Sequence, residues 1–115
     1  MEDLGALRLA ADELGFALLR NNSGAWRNPS TGQWTRYGLG NTSERLCRVW
    51  KSSDLIGIGP QGRFLAVEVK PSGWTWQGTD HEHAQSAFHD WVRHRGGLAG
   101  FATCRADLER ILRDG

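Results

Sequence analysis

Residues 51–70, KSSDLIGIGPQGRFLAVEVK, constrain this chain more than any other stretch. Two aliphatic runs flank Gly-Pro-Gln-Gly, so the segment reads as two strands folded back on each other across a short connection. A reversal about Pro60 and Gln61 pairs the strands antiparallel and sets Asp54 opposite Val67 or Glu68, although Asp54 and Glu68 stand fourteen positions apart. Glu68 and Lys70 are two apart on one strand and share a face. Two carboxylates and an ammonium thus converge at one edge of a sheet, which suits a divalent cation plus a phosphate better than a core.

The rest of the chain can be placed around that hairpin. Leu4, Leu7, Ala11 and Leu14 recur at helical spacing, with Asp3, Arg8 and Asp12 outward, and predict an amphipathic helix over residues 2–15. Residues 16–20 read as a short strand, and Asn21-Asn22-Ser23-Gly24 is turn chemistry. From there to about residue 46 no period is visible, and the expectation is a long, partly ordered loop carrying Trp26, Trp34 and Tyr37 among Arg27 and Arg36. Strands follow over residues 55–58 and 63–69. In the second of these Leu65, Val67 and Val69 face one way and Phe64 and Ala66 the other, as in a strand covered on both sides. Pro71 ends it, and residues 72–79, with WTWQG at the centre, form another loop. A helix over residues 80–95 should bury Ala84, Ala87, Phe88, Trp91 and Val92 before Gly96-Gly97 stops it. A strand over 98–103 and a helix over 106–112, with Leu108, Ile111 and Leu112 inward, close the chain. The expected class is α/β: a mixed central sheet of about four strands flanked by helices, in the order α-β-β-β-α-β-α, with a right-handed parallel crossover before the last strand.

Length and composition fit one domain over residues 1–115 with one core. The formal charge is only +1, so a nucleic-acid partner has to be held by a local basic patch. No apolar run is long enough to span a bilayer and the N-terminus has no leader-like segment, so the expected location is cytoplasmic, with no membrane partner. Cys47 and Cys104 lack metal-ligand spacing and are expected as buried or half-buried free thiols.

By chemistry alone, Asp54 and Glu68 offer hard oxygen ligands of the kind Mg²⁺ or Mn²⁺ prefers, with the backbone carbonyl of Val69 as a further donor. Such a cation polarises a phosphodiester and activates water, while Lys70 orients that water or offsets charge developing on the phosphate. The bland alternative is a turn-capping Asp54 beside a surface Glu68–Lys70 ion pair. His81, Gln85 and His89 share one helix face. They offer metal or general-base chemistry near a phosphate, or else a solvated face and ordinary hydrogen-bond partners. Trp74 and Trp76 point the same way in an extended segment, either to stack on unpaired bases or to cover the sheet or a dimer interface. Trp50 and Trp91 are expected in the core. The cations expected at phosphates are Arg20, Arg27, Arg36, Arg48 and Lys51.

SSDLIGI followed by GRFLAVEVK resembles the core of the PD-(D/E)XK nuclease superfamily. The helix with Gln85 and Phe88, followed by Gly-Gly and a short strand, is similar to the QxxF pattern of its VRR-NUC branch, in the small stand-alone form known from phages and bacteria. The likeness runs over most of the chain, from the first helix through RNNSG at 20–24 to the last helix. It implies a restriction-endonuclease-like core and a metal site of Glu2, Asp54, Glu68 and Lys70 supported by Gln85, with Glu2 reaching the metal directly or through water. It also implies Mg²⁺ or Mn²⁺ as cofactor and a homodimer that cuts branched DNA in the manner of Holliday-junction resolvases, in repair or recombination. The rival from another class is a non-catalytic DNA-binding or assembly module on the same fold. Two places depart from the family pattern: Lys51-Ser52-Ser53 replaces the usual Gly-x-Pro before the Asp, and PSGWTWQGTDHEHA replaces a shorter connection before Gln85.

Overall fold

The computed structural model describes residues 4–114. Helix α1 (Leu4–Glu13) leads into strand β1 (Ala17–Arg20). A separate hairpin follows, β2 (Gly24–Arg27) and β3 (Trp34–Tyr37), then a one-turn helix α2 (Glu44–Cys47). Strands β4 (Leu55–Ile58) and β5 (Phe64–Val69) flank a 3₁₀ turn at Pro60–Gly62. Helix α3 (Asp80–His94), strand β6 (Leu98–Ala102) and helix α4 (Arg105–Asp114) complete the chain. The main sheet has the order β1-β4-β5-β6, antiparallel across the first two pairs and parallel between β5 and β6. The class is therefore α/β with a four-stranded mixed sheet. No helix among the described residues is long and apolar enough to cross a membrane.

The side-chain alternation of β5 sorts the interior into two layers. Leu65 and Val67 join Leu7, Ala10 and Ala11 of α1, Leu18, Leu55, Leu98 and Ala102 of the strands, and Leu108 and Ile111 of α4. On the opposite face Ala66 and its partner Ala99 are small, and Phe88 and Val92 of α3 fill the space they leave, with Trp50 against them. Ring edges of Trp50 meet Phe88 at 4.7 Å and Trp91 at 5.5 Å between centroids. Gly100 of β6 admits α4 closely: a Cβ there would stand 2.9 Å from an Ile111 side-chain carbon.

Three expectations need correction. Residues 24–46 are not a loop, because they contain β2, β3 and α2. Trp91 is not core: it is 43% exposed, and the Arg95 guanidinium lies 4.5 Å from its ring centroid. The buried stripe of α3 is rotated toward Gln85 and His89, and this carries Trp91 to the rim. Cys104 is exposed, in the turn before α4, whereas Cys47 is half-buried as expected.

Candidate active site

Leu55 pairs with Val67, so continuing the antiparallel register sets Asp54 opposite Glu68. Alternation then puts Glu68 and Lys70 on the α3 face of the sheet. The chain ahead of Asp54 is fixed from β1: the Asn21 N–H donates to the Asp54 carbonyl at 2.8 Å, and Asn21 Nδ2 donates to the Ser53 carbonyl and Ser52 Oγ, both at 2.9 Å. These bonds fix the turn ahead of Asp54 without a proline. Asp54 Oδ2 in turn accepts the Val69 N–H at 3.1 Å, which fastens the acid to the end of β5.

Glu68 is only 5% exposed. Its burial, then the hydrogen bond and negative charge of Asp54, push its carboxyl up to about 9, against a smaller opposing pull from Lys70. The pair therefore holds a proton at neutral pH. Lys70 Nζ donates to Gln85 Oε1 at 2.8 Å, so an α3 amide sets the position of the ammonium at the mouth of the β4–β5 pair. Lys70 Nζ also lies 5.5 Å from the Trp74 ring centroid and 5.6 Å from that of Phe101. Asp54, Glu68, Lys70 and Gln85 thus stand together, as the sequence suggested. Glu2 lies outside the described residues. Among those residues no group of three or more His, Cys, Asp or Glu side chains is placed to hold a metal; Asp54 and Glu68 form a pair.

The histidines of α3 divide. His89 is 1% exposed and its Nε2 lies 3.1 Å from Ser53 Oγ. Burial, then the charges of Arg93 and Lys70, lower its pKa to about 3, so the ring is neutral. It is a packed partner of the residue before Asp54. Gln85 is buried too, so His81–Gln85–His89 is not a solvated face. His81 is exposed. Its pKa is lowered by partial burial and by Lys51 and Lys70, with Asp54 and Glu82 opposing.

His81 lines an open cleft of about 610 Å³ whose wall also holds Arg36, Arg48, Lys51 and His83, together with the acids Glu44 and Asp80. Arg20 lies at the end of β1, and Arg27 on the separate hairpin, neither in this cleft. Trp74 is not free to stack on a base: its ring sits 5.0 Å from Phe101, and its Nε1 donates to Glu82 Oε2 at 2.8 Å. Trp76 packs edge-on to His83 at 5.1 Å and stays 47% exposed. Of the two readings for these tryptophans, covering the sheet is the one Trp74 fits. Glu82 organises their loop: it accepts N–H groups of Gln77 at 2.9 Å and Thr79 at 3.1 Å, and Thr79 Oγ1 accepts the Glu82 N–H, a closed capping box at the start of α3. Burial opposes ionisation of Glu82, yet the donors from Thr79, Trp74, Gln77 and Gly78 hold its carboxyl below the usual range.

Sequence reasoning missed Asn21, Asn41, Ser53 and Glu82 as the residues that fix this corner. Turn-type asparagines marked the first two positions, and a Thr-x-x-Glu capping box at 79–82 marked the last. No family model, no curated protein and no solved structure matches the chain.

Proposed function

We propose that this protein is a Mg²⁺- or Mn²⁺-dependent endodeoxyribonuclease with a restriction-endonuclease-like core of the VRR-NUC type, acting in the cytoplasm on branched DNA as a homodimer. The observation that carries the reading is the pairing of Asp54 with a buried, proton-holding Glu68 at a strand end where Lys70 is held by Gln85. A buried carboxyl pair costs folding free energy unless a partner repays it, and a divalent cation is the partner its oxygens fit. The mixed sheet with a helical crossover between β5 and β6 supports the assignment of the core.

Asp54 and Glu68, with the Val69 carbonyl, would hold the cation, and Glu2 would add a ligand through water or directly. When bound, the cation supplies Lewis-acid polarisation of the phosphodiester and a water of lowered pKa. To ligate the cation, Glu68 would release its proton to solvent and act as a carboxylate donor. Lys70, fixed by Gln85 Oε1, sets its ammonium where negative charge grows on the phosphate. His81 lines the same cleft as Lys51 and would face the bound DNA there. The cleft cations Arg36, Arg48 and Lys51 hold flanking phosphates.

A panel of branched and linear DNAs incubated with Mg²⁺ or Mn²⁺ tests the reading. Glu68→Ala and Lys70→Ala are each expected to lower cleavage by about 10³-fold or more while the unfolding temperature of Lys70→Ala stays near the parent's. Full activity in either variant would end the proposal.

A further inference from the structure

We propose that the β2–β3 hairpin is an arm that grips duplex DNA beside the carboxylate corner. The inference rests on the nuclease reading for the identity of the ligand, and goes beyond it in assigning this element a separate binding task.

The hairpin has no core of its own: none of its eight strand residues is buried, and Trp34 is 66% exposed. An isolated two-stranded ribbon is marginal in water, so its order has to come from its base. Asn41 supplies it. Its Nδ2 donates to the Gly24 carbonyl at 2.8 Å and the Tyr37 carbonyl at 2.7 Å, and its Oδ1 accepts from Arg36 Nε at 3.1 Å and Cys47 Sγ at 3.0 Å. Asn21 then links the base to the site, accepting the Leu39 N–H at 3.3 Å while holding Ser53 and Asp54. The arm is thus held in fixed relation to Asp54.

Charge identifies what it meets. Residues 20–51 contain six of the chain's fourteen Lys and Arg but one of its thirteen Asp and Glu, a surplus of five positive charges in a protein of net +1. Of those six cations only Arg48 is ion-paired among the described residues, against four of the other eight, Arg93, Arg105, Arg110 and Arg113. Alternation along the paired strands puts Arg27, Trp34 and Arg36 on one face of the ribbon and Trp26 and Tyr37 on the other. Arg36 also belongs to the cleft wall with Arg48 and Lys51, so the cationic face of the arm runs into the cleft. A two-stranded ribbon fits the major groove, and unpaired arginines suit a phosphate backbone. A second copy of this chain would instead favour a charge-depleted surface.

Binding is read by fluorescence anisotropy on a labelled duplex of about 20–30 base pairs at about 0.1 M salt, with EDTA to prevent cleavage. The double variant Arg27→Glu, Trp34→Ala is expected to bind about tenfold more weakly, with the slope of log K against log salt reduced by about one. Arg113→Glu, the same charge change on α4, is expected to bind as the parent does, and all three proteins should unfold at the same temperature. Equal affinity and slope for parent and arm variant would overturn the proposal, as would a parent that binds no duplex. A variant that differs from the parent only in self-association by sedimentation would overturn it in favour of a second copy on this face. Arm-dependent binding without cleavage would leave the arm standing and remove the nuclease reading; cleavage with arm-independent binding would do the reverse.

Discussion

The two faces of the main sheet are built on opposite principles. The face covered by α1 and α4 is apolar throughout, eleven buried residues from Leu7 to Ile111. The face covered by α3 has one cluster of four buried apolar residues, Ala66, Phe88, Val92 and Ala99, and beside it Ser53, Glu68, Glu82, Gln85 and His89, all buried. One strand serves both faces, since Leu65 and Val67 of β5 enter the first layer and Ala66 and Glu68 the second. The first layer is held by area removed from water, which is additive and undirected. The second is held by bonds of fixed direction: Ser53 to His89, Lys70 to Gln85, Val69 to Asp54, Trp74 to Glu82. Polar groups survive burial only when satisfied, and no buried side-chain N or O among the described residues lacks a partner. Directed polar bonding and apolar packing are thus separated by the thickness of one sheet.

That separation breaks if the two faces respond alike to substitution. Leu65→Ala, on the apolar face, should cost about 2–5 kcal/mol in urea unfolding, because a fully buried side chain leaves a cavity. Glu68→Gln, one layer away, should cost less than about 1 kcal/mol near pH 6. The native Glu68 carboxyl is neutral there, and an amide has its size and can donate to Asp54 in its place. Under the proposed nuclease reading, cleavage should be lost in the same variant. A Glu68→Gln loss as large as that of Leu65→Ala would show that the polar layer carries the fold after all.

Most of the apolar face was legible in the sequence because its signal is periodicity. Leu65 and Val67 alternate, Leu108 and Ile111 recur at helical spacing, and the Gly-Pro-Gln-Gly reversal sets the register that brings Asp54 to Glu68. The hairpin at 24–37 was illegible for the same reason. Both its faces meet solvent, so no contrast between apolar and polar positions marks the strands, and its order comes from Asn41, a residue outside them. The burial of His89 and Gln85 was not legible, because hydropathy assigns polar groups to solvent and left a solvated face open beside the site role. They are buried because Ser53 and Lys70 meet them from the sheet side, a pairing across thirty-six and fifteen positions that no local pattern reveals. Trp91 was misplaced by the same rotation of α3. The carboxylate pair itself was found by chemistry at a strand end, whereas its proton was visible only once burial was known.

The polar face should also give the protein an asymmetric pH profile in EDTA. Glu68 rises from 4.5 to about 9 on folding, so the native state holds a proton the unfolded chain releases, and stability from this group falls as pH rises between those values. His89 drops from 6.5 to about 3, so the unfolded chain takes up a proton the native state refuses, and stability falls as pH drops through that window. Between 4.5 and 6.5 the two oppose each other and the curve should be nearly flat. Above it, stability should decline by up to about 1.4 kcal/mol per pH unit, and below it the lowered carboxyls of Glu82 and Asp107 add to the acid limb. Urea midpoints from pH 4 to 9 (about one unit apart) would read this. Glu68→Gln should abolish the alkaline limb and leave the acid one; an alkaline decline of equal slope in that variant would refute the assignment.

The last effect expected is also the most local. Glu82 accepts three N–H groups from residues 74–79, and Glu82→Gln offers them one amide oxygen and a donor that faces donors. The loss should be modest, since a few directed bonds go and little apolar area is exposed. It should fall on the Trp-bearing loop and not on the sheet: amide exchange at Gln77 and Thr79 should quicken while exchange along β5 and β6 stays slow. Trp74 would then leave Phe101, and Lys70 would lose the ring that lies 5.5 Å from its ammonium. On the apolar face the same free-energy loss would spread through the whole fold, because area has no address. If exchange instead quickens uniformly, or if Gln77 and Thr79 remain as protected as in the parent, the directed bonds of this face do not hold the loop, and the contrast between the two faces fails where it is most exposed.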